Sequence, residues 1–519
     1  MHRILFTLFV SLFISGAIKA QTPDLIVPLW PDGAPTDNGA TGPEQDFGDH
    51  VTNVSVPELW IWLPEHCEGV AVMATPGGSY YDVWYMHEGK QWAEWYNAQG
   101  ITFAVLKYRL PREEHREVPL DDARRAMHIL RDRAAEWGNY QKVGIQGCSA
   151  GGHLAASLST MYQEPAERPD FQILFYPVIS TDPAITHAFS VQNLLGKKPS
   201  KKLLETYSLD KRVTENTPPA FILASSDDGL VPVQNSLAYY NALVAHGVSA
   251  SMHLYPIGGH GWAWKTDFPY HEQYKAELSQ WLRLTQLPRK RVLFIGDSIT
   301  DGGWGNSGGD NRPSSERSEW DKNHIYGHSY MMLCASHYQS ERAVDDMTFW
   351  NRGISGHTLQ QLTDRWQQDC LDLKPNVVSI LVGTNDIHYF LEEKEKSENA
   401  KTFDVKAWED RYRSLLRQTC DSLPGVRLIL CTPFVAKAGW VGEAPNYAER
   451  EQLVQQLAAS VRTLAKEFNA TLVPFDQLFT QLRSSNQNGN NSYWIWDGIH
   501  PTPAGHRQMA DLWIETVKL

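Results

Sequence analysis

Strand-like and helix-like segments alternate along this chain, stop once, and then begin again. That pattern is the signature of α/β folds, in which helices carry the chain back across a mostly parallel sheet. Val70 to Thr75 and Thr102 to Lys107 read as buried strands. Pro119 to Trp137 reads as a helix, with Leu120, Ala123, Met127, Leu130, Ala134 and Trp137 along one stripe. Lys142 to Gly147 and Ala220 to Ala224 are further strands. After Trp281 comes the break Thr285-Gln286-Leu287-Pro288-Arg289-Lys290, and Val292 to Ile295 opens a new series. At roughly 100–200 residues per domain, 519 residues exceed one core. The expected division is a domain over 21–287 and a second over 288–519.

Composition removes several classes. The chain carries 47 Lys and Arg against 60 Asp and Glu, a net charge of −13. Non-specific nucleic-acid binding needs a basic footprint, so no nucleic-acid partner is expected. The same acidity repels anionic membrane surfaces. Six cysteines do not make a disulfide-dense scaffold, and Cys334, Cys370, Cys420 and Cys431 are left as candidates for pairing. There is no CxxC and no HExxH, so neither a metal nor any other cofactor is expected.

The N-terminus reads as an export signal. Met1-His2-Arg3 is a short basic start, Ile4 to Ala17 is nearly all apolar, and small Ala20 is a fitting last residue before cleavage. The run is shorter than the ~20 residues a spanning helix requires. Residues 1–20 are therefore expected to be removed, leaving a periplasmic or secreted protein with no membrane partner.

The first half carries a nucleophile motif. Gly147-Cys148-Ser149-Ala150-Gly151 fits GxSxG between a strand and the small-residue helix that runs from Ala150 to Met161. Small neighbours allow the tight turn that exposes the Ser149 hydroxyl. An acid and a base follow in order: Asp228 after one strand, and His260 in a Gly-rich loop after the strand ending at Tyr255. Asp227 competes for the acid role. Asp228 is preferred because Asp228 to Pro232 has the DxxVP spacing of the acid loop in such hydrolases. Backbone N–H donors for the oxyanion are expected from Ala150, directly after the nucleophile, and from Gly78 and Ser79.

Together with Pro76-Gly77-Gly78, Lys107-Tyr108-Arg109-Leu110-Pro111, the Pro-Leu-Asp-Asp-Ala segment at 119–123 and Gly151-Gly152-His153-Leu154, these residues resemble α/β-hydrolase-fold esterases grouped with acetylxylan and feruloyl esterases. The resemblance covers about residues 25–285 and implies an exported carbohydrate esterase. Two positions depart from the pattern: Cys148 at the variable elbow position, and Ser79 where the oxyanion loop usually has a last Gly.

The second half carries a different constellation. Four blocks stand at or near strand ends: Gly296-Asp297-Ser298-Ile299-Thr300, Asn351-Arg352-Gly353-Ile354-Ser355-Gly356, Gly383-Thr384-Asn385-Asp386 and Asp497-Gly498-Ile499-His500. In that order they resemble the consensus blocks of the SGNH/GDSL hydrolases, over about residues 290–519. The resemblance implies a flavodoxin-like α/β/α domain with Ser298 as nucleophile, His500 as base and Asp497 as acid. Gly356 and Asn385 are the implied oxyanion donors, joined by the N–H of Ser298. Asp297 is read as serving the turn, and Gly353 fits the family spacing less well than Gly356.

Both halves thus point to serine-dependent ester hydrolysis, and the leading reading is a bifunctional carbohydrate esterase. Its partner would be an acylated polysaccharide or oligosaccharide such as xylan, with acetyl and in one site feruloyl groups as candidates. The sequence sets no oligomeric state. Rings such as Trp84 and Trp262 are candidates for stacking on sugars, against core packing, which is the commoner fate of any single Trp. Asp301-Gly302-Gly303-Trp304 reads as a polar, Gly-rich surface beside the second nucleophile. The competing readings are a lipase or lysophospholipase, an inactive sugar-binding half, and a peptidase. No long apolar lid, no broken triad and no propeller repeat supports any of the three.

Overall fold

A computed structural model describes residues 22–112, 115–305, 312–320, 322–396, 402–485 and 490–519. The expected signal segment at 1–20 lies outside them. Contacts divide the chain into Met1–Pro288 and Arg289–Leu519.

In the first unit the strands are β1 (Leu25–Pro28), β2 (Gln45–Asp46), β3 (Val51–Thr52), β4 (Glu58–Trp62), β5 (Val70–Thr75) and β6 (Asp82–Val83), then β7 (Ile101–Lys107), β8 (Lys142–Cys148), β9 (Gln172–Phe175), β10 (Ala220–Ser225) and β11 (Ala250–Tyr255). Eight of them form one sheet in the order β1-β4-β7-β5-β8-β9-β10-β11, parallel from β7 onward. β5, β7, β8, β9 and β10 are buried nearly end to end, as strands covered on both faces must be. The short strands β2, β3 and β6 make a separate antiparallel sheet. The helix expected at 119–137 is instead two, Val118–Asp132 and Ala134–Trp137, separated at Arg133. The apolar stripe continues through the break, which is why periodicity did not reveal it.

Two of the family-like segments meet in the core as an ion pair. Arg109 is fixed by its Nε and Nη2 on the Asp122 carboxylate, with Nη2–Oδ1 at 2.6 Å, and its backbone N–H donates to Asp122 Oδ2 at 2.9 Å. Trp30 Nε1 donates to the same carboxylate at 2.8 Å. Both charges are almost fully buried. Removing one partner leaves the other charged in a dry interior. Arg109→Ala is therefore expected to destabilise the first unit by about 3–5 kcal/mol, read as unfolding of the full chain at lower urea.

The second unit has β12 (Arg291–Gly296), β13 (Thr348–Gly353), β14 (Val377–Leu381), β15 (Arg427–Cys431) and β16 (Thr471–Val473). They form one parallel sheet in the order β13-β12-β14-β15-β16. Alternation along β12 sends Val292 and Phe294 into one core and Leu293 and Ile295 into another, so the sheet is a middle layer between two sets of helices. Asn351, Arg352 and Gly353 end β13 rather than follow it.

Candidate active sites

In the first unit, β8 is extended to Cys148 and the helix Ser149–Met161 begins at once. Ser149 takes the corner at φ 54°, a left-handed conformation that is costly for a residue with a side chain. The corner closes only because its neighbours are glycines. A Cβ at Gly151 would lie 2.0 Å from the Thr75 carbonyl oxygen, and one at Gly147 2.4 Å from that of Gly151. The turn lifts Ser149 Oγ to 2.9 Å from His260 Nε2, and His260 Nδ1 lies 2.6 Å from Asp228 Oδ2. The other Asp228 oxygen accepts the backbone N–H groups of Leu230 and Val231, both at 2.9 Å. Asp227 faces elsewhere, accepting from Gly258 and Gly259 N–H and so holding the loop that carries His260. The two neighbouring aspartates divide the work, with Asp228 on the imidazole.

Gly78 (φ 128°) and Ser79 (φ 58°) continue from β5 in a left-handed turn. At Gly78 a Cβ would strike the Asp82 carbonyl at 2.2 Å, so glycine is required there. Ser79 adopts its conformation in spite of its side chain, and Asn193 Nδ2 secures its carbonyl at 2.8 Å. Among the described residues, the N–H groups of Gly78, Ser79 and Ala150 have no protein acceptor.

Sequence reasoning missed Glu88. This carboxylate is 4% exposed; it accepts the N–H of Gly77 at 2.6 Å and the Tyr176 hydroxyl at 2.9 Å. The Tyr176 oxygen in turn accepts from Ala263 N–H at 3.1 Å, and its ring packs 4.6 Å from the His260 imidazole. One buried acid thus ties the loop at 77–79 to the loop that carries His260. In the sequence, Glu88 sits between His87 and a Gly-Lys pair and reads as an exposed charge. His153, from the family-like segment, is a satisfied core group: it meets Tyr80 Oη and the Tyr207 carbonyl, and burial lowers its pKa to about 4.

In the second unit β12 ends at Gly296, and Asp297 caps the short helix Ser298–Asp301 by accepting Ile299 N–H at 3.0 Å. Burial raises the Asp297 pKa to about 6. Ser298 Oγ lies 2.9 Å from His500 Nε2, and His500 Nδ1 lies 2.7 Å from Asp497 Oδ2. Asp497 Oδ1 accepts the N–H groups of Ile499 and His500, so one loop holds the two side chains in register. Burial opposes a charged His500, but the hydrogen bond and charge of Asp497 outweigh it and its pKa rises above the ordinary value of 6.5. Burial also acts to raise the Asp497 pKa, yet the hydrogen bonds from His500 hold it below the usual carboxylate range.

Gly356 stands at φ 81° in the loop beyond β13, and Asn385 Nδ2 donates to the His357 carbonyl at 3.2 Å, fixing its amide against that loop. Gly353 has a packing role: a Cβ there would lie 2.3 Å from the Asp301 nitrogen. Asn351 clamps the nucleophile turn from below, donating to the carbonyls of Thr300, Asp301 and Tyr326.

Several expectations are corrected. Asp301 to Trp304 is no sugar-facing surface. Asp301 is buried in an ion pair with Arg317 at 2.7 Å, and buried Trp304 has both the Arg317 and the Arg352 guanidinium groups over its ring, at 5.0 and 4.7 Å. Trp262 packs inside an aromatic core with Phe175, Phe268 and Tyr274, out of reach of a sugar. Trp84 is half-buried, with His50 stacked on its ring at 4.2 Å. All six cysteines are free thiols. Separately, and among the described residues, His128, Glu164 and Glu167 bring atoms of metal-ligating type within 4.8 Å of one another. The trio spans the helix Val118–Asp132 and a later loop, so no local spacing revealed it, and Arg124 Nε already lies 3.4 Å from Glu167.

Residues 86–264 match the family described as alpha/beta hydrolase fold, and residues 294–508 match the GDSL-like Lipase/Acylhydrolase family. An acetylxylan esterase of Geobacillus stearothermophilus is 28% identical over 233 residues, covering 44% of this chain and 94% of the relative. The crystal structure of an acetyl ester-xyloside bifunctional hydrolase from Caldicellulosiruptor lactoaceticus is 32% identical, covers 50% of this chain and 96% of its own, and has a TM-score of 0.43. An acetylxylan esterase of Xylanibacter ruminicola is 33% identical over 482 residues, covering 89% of this chain and 93% of the relative. With identity at that level along nearly the whole of both sequences, the chain belongs to the family of the Xylanibacter esterase: it is a carboxylic ester hydrolase that joins an α/β-hydrolase domain to a GDSL domain.

Proposed function

We propose that the protein removes acetyl groups from acetylated xylan and its oligosaccharides with two independent serine triads. The observation that carries this reading is the pair of hydrogen-bonded Ser–His–Asp chains, one in each unit of a chain similar over 89% of its length to an acetylxylan esterase. Ser149 Oγ attacks the ester carbonyl while His260 takes its proton and passes it to the leaving sugar hydroxyl. Asp228 keeps the imidazole in the productive tautomer. Gly78, Ser79 and Ala150 N–H groups receive the oxyanion. Ser298, His500 and Asp497 do the same in the second unit, with Gly356, Asn385 and the Ser298 N–H around the oxyanion. Water then hydrolyses each acyl-enzyme by the same steps in reverse. Short acyl groups, acetate above all, suit the second site; the first is acetyl-specific or also accepts feruloyl esters.

Residues 1–20 act as a cleaved signal, and the mature enzyme works in a periplasm or outside the cell. The test is acetate and ferulate release by the mature protein from acetylated xylan, acetylated pectin and feruloylated arabinoxylan. Release from xylan is expected to dominate; a protein active on p-nitrophenyl acetate but on none of the polymers would sink the carbohydrate reading.

A serine nucleophile with a histidine base needs no metal-activated water. EDTA is expected to leave both activities unchanged, the His128–Glu164–Glu167 trio notwithstanding. Loss of acetate release that zinc or calcium restores would contradict the assignment.

A further inference from the structure

Three large aromatic side chains stand exposed at the second active site: Trp496 at 57%, Trp440 at 49% and Tyr389 at 41%. Single exposed rings are ordinary, but a group gathered at one site marks a surface built for contact. Each of these rings is carried by an element that also touches the catalytic machinery. Trp496 directly precedes Asp497, donates its backbone N–H to the His500 carbonyl at 3.0 Å, and lies stacked on the imidazole with ring centres 6.2 Å apart. Tyr389 lies one turn beyond Asn385 on the helix Thr384–Lys396, a spacing that puts both on one face. Its hydroxyl comes within 3.0 Å of where a Cβ on Gly356 would stand, so it borders the oxyanion donors. Trp440 belongs to the helix Gly439–Glu443. That helix meets the acid loop where Val441 N–H donates to the Asp497 carbonyl at 3.2 Å. Between Tyr389 and Trp440 lies the His388 ring, 5.3 Å from one and 5.9 Å from the other.

We propose that Trp496, Trp440 and Tyr389 form a platform for the pyranose rings of the acylated polymer, holding the sugar beside the Ser298 hydroxyl. The inference rests on the carbohydrate-esterase reading above and names residues that reading does not use. A pyranose with equatorial substituents shows a face of C–H groups, and the electron-rich face of an aromatic ring packs against it while the sugar hydroxyls stay in water. Separate rings with a polar imidazole between them match a chain of sugars. A fatty acyl chain would require a continuous apolar groove.

The experiment uses the full-length Ser149→Ala protein, so that only the second site is read. Its kcat/KM is measured on acetylated xylotetraose and on p-nitrophenyl acetate. In Trp440→Ala and Tyr389→Ala, the oligosaccharide-to-p-nitrophenyl acetate ratio is expected to fall at least tenfold. The fall lies in KM rather than kcat, and Trp440→Phe and Tyr389→Phe recover most of it. Trp496→Ala is expected to lower the same ratio. Equal losses on the two substrates would mean that the rings shape the catalytic centre, and an unchanged ratio would mean no platform; either overturns the proposal. So would a change in mass by light scattering in the alanine variants, which would give these rings to a second copy of the chain. A parent that cleaves p-nitrophenyl acetate but not the oligosaccharide would overturn the carbohydrate reading itself, and the platform with it.

Discussion

Ser149→Ala and Ser298→Ala are each expected to abolish one activity and spare the other, and the double variant is expected to release essentially no acyl groups. Each triad closes within its own unit, so neither serine has a partner in the other half. Loss of the nucleophile costs on the order of 10⁶ in kcat at a serine-hydrolase site, far more than any residual route can replace. The measurement is acetate release and p-nitrophenyl acetate hydrolysis by the four proteins under the same conditions. If one single variant lost all activity on every ester, two independent sites would not describe this enzyme.

The next largest effect falls on the acids. An asparagine at 497 has the shape of the aspartate but cannot stabilise the imidazolium, and its amide favours the wrong histidine tautomer. Asp497→Asn in the Ser149→Ala background is expected to lower kcat about 10⁴-fold, and Asp228→Asn in the Ser298→Ala background by a similar factor. The pH profile adds an independent check at the second site. His500 must be neutral to accept the serine proton, and its pKa lies above 6.5. In Ser149→Ala, kcat/KM therefore climbs with pH through a value above 6.5, the pKa of the free enzyme. A rise completed below pH 6 would show that Asp497 does not raise the pKa of its histidine.

The strands that lead into Ser149 and Ser298 were legible because they are short apolar runs, and the tight turns at their ends permit few residue types. Spacing alone singled out Asp228, and it is Asp228 that meets the His260 imidazole, while Asp227 spends its oxygens on the Gly258 and Gly259 amides. What stayed hidden depends on distant partners. Glu88 joins Gly77 to Tyr176, residues separated by about a hundred positions, and no local pattern marks a charge as buried. Trp304 looked like surface because its neighbours are glycines and an aspartate; its two guanidinium partners arrive from Arg317 and Arg352. Trp262 takes the core-packing alternative, and its place there was not legible because the rings that enclose it come from β9, from Phe268 further along its own loop and from Tyr274 on the helix that follows.

The two triads also differ in the span of chain that each must wait for. In the first, acid and base lie 32 positions apart and the serine 111 from its histidine, so every member has been synthesised by residue 260. In the second, acid and base are three positions apart, but the serine precedes its histidine by 202. Chain order thus imposes an order of completion. Termination between Ser298 and Asp497 leaves one triad whole and the other without Asp497 and His500 together. The same accident before Asp228 leaves none, so damage progressing from the C-terminal end reduces this protein from two sites to one before it reduces it to zero.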